Sequence, residues 1–267
     1  MNVAEFEFGI LLPAFVAGLL VTATHVPLGI QVLNRGIVFI DLAIAQIAGC
    51  GVILANFLGM ETQGVLVQLS ALSAALGGAL LLTWTEKRWP EVQEAIIGTV
   101  FVLAASGAIL LLSAEGGHHG HQSSEHLKDL LVGQILWVSW STVALVALVY
   151  AVLLAVWFGV GQARLKRTGF YVVFACAVTA SVQLVGLYLV FATLIVPALA
   201  TRRIGRWRLA VSYALGAAGY AFGLVVSALT DWPSGPAIVW VMTTLAVIVF
   251  ASGPRRRRVE QGPLQGM

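Results

Sequence analysis

Charge is what this sequence has least of. Only 10% of its 267 residues are Asp, Glu, Lys or Arg and 59% are hydrophobic, whereas a soluble domain carries about 25% charge. With a mean hydropathy of +0.93, the chain reads as an integral membrane protein. Cysteine is nearly absent as well. Cys50 and Cys176 are the only two, both lie inside apolar runs, and no CxxC spacing exists to suggest a disulfide framework or a thiolate metal site. Both are expected to serve packing. No G-x-x-x-x-G-K, HExxH or GxSxG signature occurs, so the chain is not expected to be an enzyme, and any ATP it depends on must be bound by another subunit. The slight excess of base, 15 Lys and Arg over 12 Asp and Glu, is strung between hydrophobic segments and not gathered on one surface. It reports membrane topology and not nucleic-acid binding.

What is present is a series of long apolar runs, at residues 9–33, 37–58, 65–84, 95–114, 141–158, 169–186, 187–201, 209–230 and 235–253. Each is close to the roughly 20 residues a helix needs to cross a bilayer, and none shows the ten-residue alternation of barrel strands. The expectation is a polytopic all-α bundle of about nine transmembrane helices, with eight possible because the runs between Phe170 and Thr201 merge. The semi-polar stretch Leu127 to Trp140 reads as a re-entrant or interfacial helix. Glu5 and Glu7 stand where a signal peptide would carry Lys or Arg, so the first span is expected to be retained. Residues 1–253 are expected to form one transmembrane domain, and 254–267, with Arg255 to Arg258, a basic cytoplasmic tail without order.

Charge placement tests the count. With nine spans and the N-terminus outside, Arg35, Lys87, Arg88, Arg164, Lys166, Arg167, Arg202, Arg203, Arg206, Arg208 and Arg255 to Arg258 all fall inside. That is 14 of 15, with Lys128 alone outside, as the positive-inside rule requires. Trp84, Trp89, Trp137, Trp140, Trp157, Trp207 and Trp232 lie near span ends, as in an interfacial aromatic belt. Small residues such as Gly216, Gly219 and Gly223, and Gly98, Ala105 and Gly107, predict close helix packing, and Pro27 and Pro197 remove helix hydrogen bonds within spans.

Asp41 interrupts the second run. An aspartate at mid-span costs about 2.5–3.5 kcal/mol, so such residues face a bundle interior or an aqueous path and are functional candidates. The alternative is an edge position, capping a helix or pairing with Arg35. On a helix Ala45, Ala48 and Gly49 share its face, a strip of small residues where another helix or a substrate can come close, whereas Gln46 is turned some 140° away and is assigned to packing or a hydrogen bond. His25, two residues before Pro27, is either a hydrogen-bonded core residue or a nitrogen ligand for the ion that Asp41 meets. The longest outside loop holds His118, His119, His121 and His126, four of the five histidines. Imidazoles among Gly and Ser could collect a transition metal, or the loop is simply solvated. On the inside, Arg164, Lys166 and Arg167, in the loop from Gly159 to Thr168, mark a docking element or only fix topology.

Five separated pieces then resemble one family. They are Pro27-Leu28-Gly29 with Arg35 and Asp41; Glu94-Ala95-Ile96-Ile97-Gly98; Asp129-Leu130-Leu131-Val132-Gly133; Val185-Gly186 through Pro197 to Arg202; and Asp231-Trp232-Pro233-Ser234-Gly235-Pro236. In this order they are similar to the membrane permease subunits of bacterial ABC transporters that import zinc or manganese. The resemblance implies an inner-membrane homodimer of permeases, two cytoplasmic ATP-binding subunits, an extracytoplasmic metal-binding protein, a coupling helix at Gly161 to Thr168, and no permanently bound cofactor, the divalent metal ion being cargo. It also implies a metal pair of aspartate and a histidine four residues later. Asp41 matches the aspartate, but position 45 is alanine, so His25 completes the site or the ion differs. The contrasting reading is a stand-alone secondary transporter or proton-coupled cation exporter using Asp41.

Overall fold

The computed structural model describes residues 3–60, 64–114, 135–159 and 166–252. Among them are nine α-helices: α1 (Val3–Arg35), α2 (Ile40–Phe57), α3 (Val65–Arg88), α4 (Gln93–Ala114), α5 (Trp140–Gly159), α6 (Lys166–Val185), α7 (Leu187–Ala200), α8 (Arg208–Thr230) and α9 (Ser234–Ser252), with short 3-10 turns at Pro90–Val92 and Ile135–Trp137. Helices are what such runs must form, because in a bilayer every backbone N–H and C=O has to be satisfied within its own segment. Eight helices are long and apolar enough to cross a membrane, and α7, with 14 residues, is shorter. Both counts read from the sequence are thus reconciled: α6 and α7 are separate helices, parted by Gly186 alone, and the second falls short of a full span. Gly186 has φ 82° and ψ 162°, a conformation open essentially to glycine.

The helices run alternately up and down, and their polar contacts place the described basic residues together. Glu86 at the end of α3 joins Arg35 at the end of α1 (3.9 Å) to Arg167 at the start of α6 (3.3 Å). Arg208, opening α8, donates to Asn34 at 3.5 Å, while Arg202 and Arg203 lie over the Phe250 ring near the end of α9. One end of the bundle therefore carries the positive charge, as the charge count predicts. The stretch Leu127 to Trp140 and the His-rich loop lie largely or wholly outside the described residues, as do Arg164 and the tail.

Packing is close where α1, α7, α8 and α9 meet. A Cβ on Gly29 of α1 would collide with the Leu194 carbonyl of α7, and on α8 Cβ atoms on Gly216, Gly219 and Gly223 would meet Thr22, Met242 and Ile238 at 2.6, 2.8 and 2.5 Å. The small residues of α8 thus allow the close approach expected of them. Those of α4 do not: Gly98 has open space and Gly107 only the Cys50 sulfur at 4.0 Å. Both cysteines are free, and the Cys50 thiol donates to the Ala104 carbonyl. Six of the seven expected belt tryptophans are exposed, but Trp157 is buried. It packs on Phe170, with centroids 6.1 Å apart, and is a core residue. Exposed Leu66, Leu69, Leu80, Leu103, Leu145 and Leu148 give α3, α4 and α5 apolar outer faces suited to lipid.

Candidate functional site

Helix α1 ends in a Schellman turn. Gly36 adopts φ 70° and the Ile37 N–H reaches back to the Val32 carbonyl at 3.3 Å, so the chain reverses within four residues and α2 begins at Ile40. Phe39, just before it, stacks on Phe191 of α7 with ring centroids 6.4 Å apart. Phe191 lies more than two turns from the Ala200 end of α7, roughly 13 Å at 1.5 Å per residue. The N-terminus of α2 is therefore set inside the bundle and not at its basic edge.

Asp41 sits in that first turn and is 0% exposed. The helix dipole favours a carboxylate here, and the N–H groups of Asp41 and Leu42 lie beside it, yet neither oxygen has a hydrogen-bond partner of proper geometry. Arg35 does not pair with it; that guanidinium is held by Glu86 and lies 4.2 Å from the centre of the Phe170 ring. The edge reading of Asp41 is thus half right: the residue is in a first turn, but the turn is internal and the ion pair is absent.

One turn further along α2 a narrow cleft of about 30 Å³ opens between α2, α3 and α6. It is lined by Ala45, Ala48, Gly49 and Val52, with Ala71 across from them and Thr179, Val182, Gln183 and Leu187 closing it. The small residues that share the face of Asp41 thus border open space. Gln46, turned away from Asp41 on the helix, lines the same cleft. Two amides and a hydroxyl, Gln46, Gln183 and Thr179, are the polar groups here. The Thr179 Oγ1 is buried without a partner.

Glu94, at the start of α4, reaches the same helix end. Its Oε1 accepts the Phe39 N–H at 3.2 Å across 55 residues of sequence, its Oε2 is buried and unpaired, and its charge acts on Asp41. The sequence reading had this residue in a family-like block without giving it a role. The next residue back, Gln93, anchors α4 by donating to the Leu82 carbonyl at 3.0 Å and accepting from the Thr85 hydroxyl at 3.1 Å.

His25 lies elsewhere. It is 0% exposed, its Nδ1 is 3.0 Å from the Thr24 hydroxyl and 3.1 Å from the Val21 carbonyl, and its Nε2 has no partner. It shares the α1 face of Gly18, Thr22 and Gly29, which packs on α7 and α8. Helices α1 and α2, though consecutive, are not principal packing partners, and the structure gives His25 no contact with Asp41. Among the described residues, no group of three or more His, Cys, Asp or Glu could hold a metal ion. Lys166 opens α6, and Arg167 is engaged with Glu86 through both its ion pair and a 3.3 Å bond to the Glu86 carbonyl.

Known proteins share this architecture. The profile described as the ABC 3 transport family matches residues 7–163 and 159–253. The chelated iron transport system membrane protein YfeC of Yersinia pestis is 29% identical over 186 residues, which span 61% of this chain and 60% of that protein. PsaBC from Streptococcus pneumoniae, solved in complex with a Fab, superposes with a TM-score of 0.74 at 22% identity, over 96% of this chain and 98% of the other. An inward-facing transporter assigned to the metal-chelate type of ABC transporters gives 0.68 at 16% identity, over 90% and 85%. At these identities the two structures speak for the fold alone. The family profile covers nearly the whole chain, and its long apolar helices make it a multi-pass protein of the bacterial inner membrane: the chain belongs to the ABC 3 transport family.

Proposed function

We propose that the chain is the permease subunit of an ATP-binding cassette importer that moves divalent metal ions inward, with Asp41 as the transient ligand in the path. The observation that carries this reading is a wholly buried carboxylate, neither oxygen with a well-formed hydrogen bond, one helical turn before a cleft that Ala45, Ala48 and Gly49 of the same helix help to line. Leaving such a group without a partner is expensive unless a cation visits it, and a site with few ligands binds weakly enough to release. Manganese or zinc is the proposed cargo. The relative named for chelated iron transport adds iron to the candidates, and an oxygen-only site leans toward the harder ions.

The assembly that goes with this function is a homodimer of the chain, two cytoplasmic ATP-binding subunits and an extracytoplasmic metal-binding protein. The N-terminus lies outside and the C-terminus in the cytoplasm, so that the basic end, with Lys166 and Arg167, faces the ATP-binding subunit. The chain itself hydrolyses nothing. Asp41→Ala should abolish uptake of the cognate ion in cells carrying the whole transporter while the variant still copurifies with its ATP-binding subunit. Unchanged uptake removes Asp41 from the mechanism. ATP-independent, proton-driven transport by vesicles containing only this chain would replace the importer by a secondary transporter.

A further inference from the structure

The buried carboxylate lacks the histidine expected one turn along its helix, because residue 45 is alanine. His25 does not supply the missing group, since it faces α7 and α8. Another acidic side chain does reach the place. Glu94 comes from α4, uses Oε1 on the Phe39 N–H at 3.2 Å, and has Oε2 buried without a well-formed hydrogen bond, with the Val38 N–H beside the carboxylate. Two residues beyond Phe39, Asp41 is 0% exposed and neither of its oxygens has a well-formed hydrogen bond, the N–H groups of Asp41 and Leu42 lying beside them. Both carboxyl groups thus lie at one internal helix end, each short of well-formed hydrogen bonds, and Glu94 is near enough to act electrostatically on Asp41. A divalent cation is the partner that relieves both the mutual repulsion and the lost hydration.

Resting on the importer reading above, we propose that Glu94 is the second ligand of the transported ion. It and Asp41 form a two-carboxylate site that takes the place of an aspartate–histidine pair and selects a hard cation, Mn²⁺, over Zn²⁺. Carboxylates suit manganese and magnesium, while zinc gains from imidazole or thiolate that this site does not offer. The cation would sit at the positive end of the α2 dipole, which disfavours it. That opposition weakens the site, as release requires.

The test uses Glu94→Gln, whose amide oxygen still accepts the Phe39 N–H but whose charge is gone. Mn²⁺ binding to the purified full-length chain is followed by the paramagnetic resonance of free Mn²⁺, and uptake of Mn²⁺ and Zn²⁺ is followed in cells carrying the whole transporter. Glu94→Gln should weaken Mn²⁺ binding at least tenfold, lower Mn²⁺ uptake as far as Asp41→Asn does, and narrow the preference over Zn²⁺. The double variant should be no worse than either single one, because both remove the same site. Wild-type Mn²⁺ binding and uptake in Glu94→Gln, with Asp41→Asn inactive, would overturn the proposal and leave Glu94 as a helix cap while the importer reading stands. Should Glu94→Gln fail to assemble, Glu94→Asp keeps the charge but shortens its reach, and unchanged Mn²⁺ affinity there overturns the proposal equally. If the wild-type transporter moves no divalent ion with ATP, it is the importer reading that fails, and Mn²⁺ binding by the chain still decides the pair.

Discussion

Replacing Asp41 by alanine should remove transport without weakening the protein, and the size of the effect follows from where the carboxylate sits. An aspartate within a membrane span costs about 2.5–3.5 kcal/mol, and the structure returns little of that, since neither oxygen has a hydrogen-bond partner and Arg35 is committed to Glu86. What the site does return is the interaction with the first turn of α2, about 0.3–1 kcal/mol, and the contacts of the few atoms that alanine lacks, about 1 kcal/mol. Asp41→Ala should therefore be more stable than the wild type by about 0.5–2 kcal/mol on these terms. The assay is thermal unfolding of the full-length chain in detergent with a chelator present, because a bound cation stabilises the wild type by mass action. Adding Mn²⁺ should then raise the wild-type midpoint and leave that of the variant where it is. A variant that unfolds well below the wild type in chelator would mean the carboxylate is structurally satisfied, and the argument from its isolation would fall.

Gly186→Ala should lower the unfolding midpoint by an amount corresponding to about 1–3 kcal/mol, since φ 82° with ψ 162° is closed to side chains; an unchanged midpoint would show that α6 and α7 can join otherwise. Glu86→Gln should destabilise by about 1 kcal/mol, because its two arginine partners are 28% and 41% exposed and such pairs are worth little each. Its Mn²⁺ binding should stay as in the wild type, and a loss there would tie the basic end to the ion site. Replacing His118, His119, His121 and His126 together should leave uptake unchanged at ample metal and reduce it only when metal is scarce. Equal uptake at scarce metal would assign the loop to solvent.

Much of the fold was legible because a bilayer allows one solution to a long apolar run, and the nine runs correspond to the nine helices among the described residues. Charge placement carried the topology for the same reason: Arg35, Lys87, Arg88, Arg167 and Arg202 to Arg208 all sit at helix ends that turn out to be one end of the bundle. Less of the site was legible. That α2 starts at Ile40, inside the bundle, depends on the Gly36 turn and on the stacking of Phe39 against Phe191, neither of which hydropathy reports. Glu94 approaches Phe39 across 55 residues of sequence, a tertiary contact with no local signature. Trp157 illustrates the converse error, since an aromatic near a span end reads as a belt residue whether it faces lipid or, as here, Phe170. The small residues of α4 resemble those of α8 in sequence, but only at the α8 glycines would an added Cβ collide with a neighbouring helix.

Polar satisfaction separates scaffold from site more sharply than residue type does. Where α1, α7 and α8 meet, buried hydroxyls are nearly all paired: Thr193 with Tyr220 at 2.9 Å, Thr201 with Ser212 at 2.7 Å, Thr22 with the Gly18 carbonyl at 2.8 Å, and Tyr213 with the Ala23 carbonyl at 3.1 Å. Groups paired in this way hold helices in register without water. Single unpaired atoms do occur at Asn56, Trp157, Arg208 and His25, but they are spread over separate helices, and each costs only what one lost hydrogen bond costs. Around the start of α2 the pattern changes. Asp41 is the one charged side chain among the described residues whose charged atoms are all buried without a hydrogen-bond partner, and the free oxygen of Glu94 and the hydroxyl of Thr179 flank the same helix. A sequence that satisfies its threonines so thoroughly on one side of the bundle had the means to satisfy an aspartate on the other. That it leaves the carboxylate open is the physical reason to regard this helix end as a place for a ligand and not as a flaw in the packing.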